Sequence, residues 1–170
     1  MDQRTTGLYP KFTVRRNDGR DQSSGDRAGA EYFVLDLTFD PYAVPAALAY
    51  ADACRAPFPR LSDDIVAKVF APRTPQRDEN GWWLHPVLCW QEDESFQLRE
   101  WLEGYGYEIS VIEMDWAENS DELFEALEET GSVCGWLPLS PDGEGWYLSG
   151  IYDTDDGPAA AWIRKIQEAA

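Results

Sequence analysis

Positive charge is nearly missing from residues 91–157, which carry one arginine, Arg99, against nineteen aspartates and glutamates. Lysine is scarce throughout, with three in 170 residues, and His85 is the only histidine. A single histidine excludes a His-pair metal site or a His-dyad within one chain. With no cysteine pair beside it, a zinc hydrolase is not expected either. Placed between Trp83 and Pro86, His85 reads as structural. Cys54, Cys89 and Cys134 are far apart, odd in number and form no CxxC pair, so buried free thiols are expected rather than a disulfide framework or a zinc cluster. No run of about 18 apolar residues occurs. No secretory leader pattern stands at the start, and a soluble, cytoplasmic protein is expected. The motifs GxxxxGKS/T, GxGxxG and GxSxG are absent, which removes the sequence grounds for nucleotide binding or acyl transfer. Among 32 acidic residues no pattern singles out a general acid and base. The expectation is a protein that is not an enzyme and uses no cofactor or metal.

What is present is acid, concentrated in one place. The chain carries a net charge of −18, yet its first 30 residues hold six basic side chains against four acidic ones. The acidic segment also contains Trp101, Trp116, Trp136 and Trp146, and Trp82, Trp83, Trp90 and Trp162 lie close by in sequence. A disordered acidic tail is poor in aromatics. This segment is therefore expected to fold and to display its charge on a rigid surface. A general adaptation to high salt would spread the acid evenly, which the distribution argues against.

Residues 113–129, EMDWAENSDELFEALEE, hold the densest charge. Glu113, Asp115, Glu118, Asp121, Glu122, Glu125, Glu128 and Glu129 stand there without one basic residue. Ser120 is a candidate helix cap, and Asp121 and Glu122 suit the first turn. Leu123, Phe124 and Leu127 then recur at helical spacing and predict one apolar stripe. Asp121–Glu125 and Glu125–Glu129 are like-charged pairs at i, i+4, each costing roughly 0.2–0.5 kcal/mol. Glu128 and Glu129 also face the negative end of the helix dipole. Stability alone would favour Lys or Arg at some of these positions. Trp116, directly after Asp115, is the best candidate for an aromatic anchor, whereas Trp101 and Trp162 read as core by periodicity.

The rest of the chain predicts an α+β fold of antiparallel strands with packed helices, in two small lobes. Residues 1–71 form the expected N-terminal ββαα lobe. A loose arm at 1–10 leads to strands at 11–16 and 31–39 that pair around a mobile loop at 17–30. A helix opens at Asp40-Pro41 or Val44 and runs to about 55, ended by Pro57 and Pro59; a second is capped by Ser62 and covers 63–70. Residues 72–81 (PRTPQRDENG) are the expected linker. Residues 82–170 form the acidic, tryptophan-rich α+β lobe. It has at most a short edge strand at 82–90, a helix at 94–103 with Gly104 as cap, a strand at 107–114, the acidic helix, a strand or extended connection at 133–139 and a terminal hairpin of 146–152 with 159–166. Asp153, Asp155, Asp156 and Gly157 resemble a calcium loop but lack its alternating ligands and distal glutamate, so a turn is expected. Arg15, Arg16, Arg20 and Arg27 form a small basic patch, read as a solvated loop or as a partner for the acidic lobe.

Several stretches resemble uncharacterised proteins of bacteriophages, prophages and plasmids: EYFVLDL (31–37), Asp40-Pro41, LAYADAC (48–54) and EGWYLSGIYDTDDGP (144–158) with the hairpin after it. These are packing and turn motifs, so the resemblance carries no catalytic residues. It implies an origin on a mobile element, where small acidic proteins often block host defence, and where some anti-CRISPR and anti-restriction proteins imitate DNA. The expected function is an anti-CRISPR-like inhibitor whose acidic surface occupies a basic nucleic-acid groove of a host protein complex. It would contact protein and not nucleic acid or membrane. A non-inhibitory phage interaction module with a tryptophan-rich surface is the alternative, and a merely solvated acidic face is the bland one.

Overall fold

A computed structural model describes residues 12–89 and 97–167. The expectations for the arm at 1–10, Lys11, Trp90 and residues 94–96 lie outside these. The chain divides into two compact units, Met1–Asp36 and Leu37–Ala170.

In the first unit, residues 12–36 contain turns and no strand. The expected pairing of 11–16 with 31–39 is thus corrected over the described residues. Its alternating side chains, Phe12, Val14, Tyr32, Phe33 and Val34, are exposed, so the alternation buries nothing. Strand periodicity stabilises only where one face is covered. Arg16 N–H donates to Asp21 Oδ2 at 3.1 Å, and its Nε donates to Asp18 at 2.8 Å. Arg20 Nε donates to Asp26 at 2.8 Å. Two of the four patch arginines are therefore committed inside their own loop. A Cβ at Gly25 would sit 2.0 Å from the Arg20 carbonyl, so this turn needs glycine.

The second unit is α+β. In chain order it contains α1 (Ala43–Cys54), α2 (Pro59–Val69), β1 (Trp83–Leu84), α3 (Leu98–Gly104), β2 (Tyr107–Glu113), a 3₁₀ turn (Met114–Trp116), α4 (Ser120–Thr130), β3 (Tyr147–Thr154) and β4 (Gly157–Lys165). The strands form one antiparallel sheet in the order β1-β3-β4-β2. None of the helices described is long and apolar enough to cross a membrane.

α1 starts at Ala43, next to the alternative start at Val44, and is entered through Tyr42, so Asp40 is not its cap. Asp40 instead forms the preceding turn, its Oδ1 accepting the Tyr42 N–H at 2.9 Å and its carbonyl the Ala43 N–H at 3.1 Å. Pro59 opens α2 instead of only ending α1, because a proline at the first helical position forfeits no hydrogen bond. Ser62, expected as the cap, is instead buried within α2. Downstream, α3 ends at Gly104 and the left-handed glycine follows at Gly106.

β4 separates two cores. Ala161 and Ile163 turn one way, joining Tyr107 and Ile109 against Val44 and Leu48 of α1, Val69 of α2, Phe70 and Leu102 of α3. Ala160, with Trp162 beside it, turns the other way, towards Ile151, Met114, Leu123, Val133 and Trp136. Helices therefore cover both faces of the sheet. Phe70 stacks on Tyr107 at 4.3 Å, and the Tyr147 hydroxyl donates to the Phe70 carbonyl at 2.7 Å, closing the end of α2. Burial pushes the Tyr147 phenol well above its usual range.

The expected linker and lobe boundary at 72–81 fall inside this unit. The Arg77 guanidinium fixes the end of that segment, donating to the carbonyls of Gly81 (2.6 Å), Val133 (2.6 Å) and Trp136 (2.8 Å). Arg73 ties its start to the Leu37 carbonyl and the Thr38 hydroxyl, at 3.2 and 3.1 Å. Composition suggested a linker because two prolines and no periodicity leave the backbone without a ladder; two arginines supply partners along it. The stretch 133–139 is not a strand, and Trp136 within it is a core residue. Of the cysteines, Cys54 is buried as expected, while Cys89 and Cys134 are exposed free thiols.

His85 is fully buried and structural. Its Nδ1 accepts Val87 N–H at 3.2 Å, so its Nε2 carries the proton and donates to the Ala71 carbonyl at 3.1 Å. Burial pushes its pKa down to about 4, with Arg73 adding to the effect. A depressed folded pKa means the unfolded chain takes up the proton first. His85 therefore contributes stability above the unfolded value of about 6.5, and that contribution is lost as pH falls towards 4. Urea unfolding is expected to show about 2 kcal/mol lost through His85 between about pH 7 and pH 5. A His85→Gln variant should lack that part of the pH dependence. The buried Ser62 hydroxyl has no hydrogen-bond partner among the described residues. Ser62→Ala is expected to raise stability by about 1 kcal/mol, because an unsatisfied buried hydroxyl is removed; thermal and urea unfolding check this.

Candidate functional site

The end of β2 and the start of β4 lie side by side, and they set the geometry of the acidic surface. Glu113 pairs with Ala159, and the hairpin closes from Thr154 to Gly157 across a two-residue turn at the same end of the sheet. The Thr154 hydroxyl stabilises that turn, donating to the Gly157 carbonyl at 2.7 Å and accepting Asp156 N–H at 3.2 Å. Directly after Glu113 the chain tightens into the 3₁₀ turn. Met114 is buried by it, while Trp116 is thrust outward and left 69% exposed.

α4 then runs Ser120–Thr130. The helix is entered through Asn119, whose carbonyl accepts Leu123 N–H at 3.1 Å, and Ser120 is its first residue rather than its cap. Leu123 is buried and Phe124 and Leu127 are half-buried, so the expected apolar stripe faces the sheet. Gly131, left-handed at φ 71°, ends the helix by donating to the Leu127 carbonyl at 2.7 Å. A Cβ at Gly157 would lie 3.5 Å from the Phe124 ring, which places α4 against the hairpin turn.

Asp115, Glu118, Asp121, Glu122, Glu125, Glu128 and Glu129 are exposed, and Glu113 is half-buried. Among the described residues, none of these eight takes part in an ion pair. The one base of 91–157, Arg99, is spent on the Ile109 carbonyl at 3.2 Å. Arg164 is held by Glu108 at 2.7 Å and stacks over Trp146 at 4.2 Å.

Sequence reasoning treated the hairpin acids as a separate turn. Pairing of β2 with β4 brings Asp153, Asp155 and Asp156, all exposed, to the end of the sheet that carries Glu113 and the acidic helix. The signal for this was a match of strand lengths, 107–113 against 159–165, visible only once the partner was known. Trp101 and Trp162 pack against the two cores, as their periodicity suggested.

Comparison with protein-family models, with curated proteins and with solved structures finds no match for this chain.

Like charges along α4 and at its C-terminal end make this surface costly to hold. Glu128→Gln with Glu129→Gln is expected to stabilise the fold by about 0.5 kcal/mol at low salt. The gain should shrink at about 0.5 M salt, where such interactions are screened. Urea unfolding at the two salt concentrations measures both.

Proposed function

We propose that this protein is a binding module whose acidic sheet end takes the place of nucleic-acid phosphates on a basic groove of a partner protein. The observation that carries this reading is the set of exposed carboxylates at one end of the sheet, without a basic partner among the described residues, around an exposed Trp116. Duplex DNA offers one negative charge per about 1.7 Å of axis, and its binding proteins line a groove with Lys and Arg. Carboxylates on α4 at i, i+3 and i+4 lie about 5–6 Å apart, a spacing such a groove accepts. Because α4 is packed and capped, little ordering remains to be done on binding. Trp116 supplies apolar area at the centre of the charge, as aromatic anchors do at interfaces.

In the finer form of this proposal the partner is a nucleic-acid-binding complex of host defence, CRISPR machinery foremost, and the protein inhibits it in the host cytoplasm. That form rests on the resemblance of its sequence to mobile-element proteins. Binding to the aromatic surface by a partner that is not basic is the second reading, favoured by the exposure of Trp116. Salt separates them, since charge-led binding weakens steeply with ionic strength and aromatic docking does not.

Competition tests the proposal. Excess duplex DNA is expected to displace the protein from its target. Charge reversal at Glu122, Glu125 and Glu129 is expected to weaken binding by about a hundredfold or more, as loss of several charge contacts does. Binding that resists both DNA and charge reversal would overturn it.

A further inference from the structure

A cleft of about 510 Å³ opens beside β1. The indoles of Trp82 and Trp83, the Tyr152 ring and Leu84 line it, and Asp78 and Asp153 add two carboxylates. Asp153 ends the stretch of β3 that leads into the acidic hairpin turn, so the cleft is continuous with the acidic sheet end.

The chemistry of this lining is specific in sign. Asp78 uses Oδ1 to accept the N–H groups of Asn80 and Trp82, both at 2.9 Å, and neither it nor Asp153 has an ion-pair partner among the described residues. The adjacent Arg77 directs its guanidinium to three carbonyls and makes no ion pair with Asp78 among the described residues. Half-buried aromatic faces beside free carboxylates favour a flat or compact cation, which the ring quadrupoles attract and the carboxylates neutralise. An anion is repelled here, and a purely apolar group would strip water from two charges without replacing it.

We propose that this cleft receives an arginine or lysine side chain of the partner protein, acting as the anchoring pocket beside the acidic surface. This rests on the proposed binding to a basic groove. It adds a defined position, lined by aromatic rings, at which one cation is seated rather than merely attracted. Arginine fits better than lysine, since its planar guanidinium can stack on an indole while pairing with a carboxylate.

The test uses the whole chain and N-acetyl-arginine amide as probe, with N-acetyl-citrulline amide as its neutral counterpart. Indole N–H resonances of Trp82 and Trp83 are followed by NMR. The arginine probe is expected to shift both indoles saturably, and citrulline to bind about tenfold more weakly or less. Asp78→Asn keeps the turn's Oδ1 acceptor while removing the charge; together with Asp153→Asn it is expected to weaken the arginine probe by about tenfold. Should that pair of changes perturb folding, Asp153→Asn alone, at an exposed position, is expected to weaken it several-fold. Equal responses to arginine and citrulline, absence of saturable shifts at the two indoles, or affinity unchanged in the folded Asn variants would overturn the proposal. Replacing Glu122, Glu125 and Glu129 by Gln separates the two ideas. Those changes should leave the small-probe response at Trp82 and Trp83 intact, while weakening target binding if the acidic surface acts as proposed above.

Discussion

β4 hydrogen-bonds to β3 on one side and to β2 on the other, and this double pairing decides where the charge of the molecule goes. Its run of Ala159, Ala160 and Ala161 is narrow enough for a packed layer on each face. Small side chains in a central strand bring covering elements close to the backbone, and here two cores meet at one strand. With both faces occupied, the ends and edges of the sheet remain uncovered. One end collects Glu113, the 3₁₀ turn, the hairpin acids and α4.

The acidic helix holds together against its own charge. Its apolar stripe is short, with one buried leucine, Leu123, and burying a Leu contributes at most about 1.5–3 kcal/mol. Against this stand two like-charged i, i+4 pairs and two glutamates at the negative end of the dipole. Gly131 and the packing of Phe124 on the hairpin turn hold the helix in spite of them. The charge is therefore carried on a scaffold firm enough to keep it in place.

Much of this could be read from the residues. YEISVIE alternates and forms β2; YLSGIY and AAAWIRK lie on β3 and β4, while of DTDDGP only Asp155 and Asp156 form the turn and the rest lengthens both strands; Leu123, Phe124 and Leu127 mark the buried side of α4. Failures came where a local pattern was decided by distant partners. Phe12, Val14, Tyr32 and Val34 alternate like strand residues, yet are exposed. The 72–81 segment looked like a linker until Arg77 and Arg73 were seen to bind carbonyls far along the chain. The two-residue β1 falls within the short edge strand expected at 82–90, but its partners, Ile151 and Gly150, are chosen by distant pairing. The joining of the hairpin acids to α4 depended on a register that no local window contains.

The connectivity of the sheet has a kinetic side. The β3–β4 hairpin closes a two-residue loop, whereas Tyr107 must find Lys165 across more than fifty intervening residues. Loop-closure entropy grows with that separation, so the hairpin is the natural nucleus and β2 docks onto it afterwards. α4 lies inside the long loop that this docking closes. The acidic surface is thus completed only when β2 docks on the hairpin, in the same step that brings Tyr107 and Ile109 into one core and Met114 and Leu123 into the other.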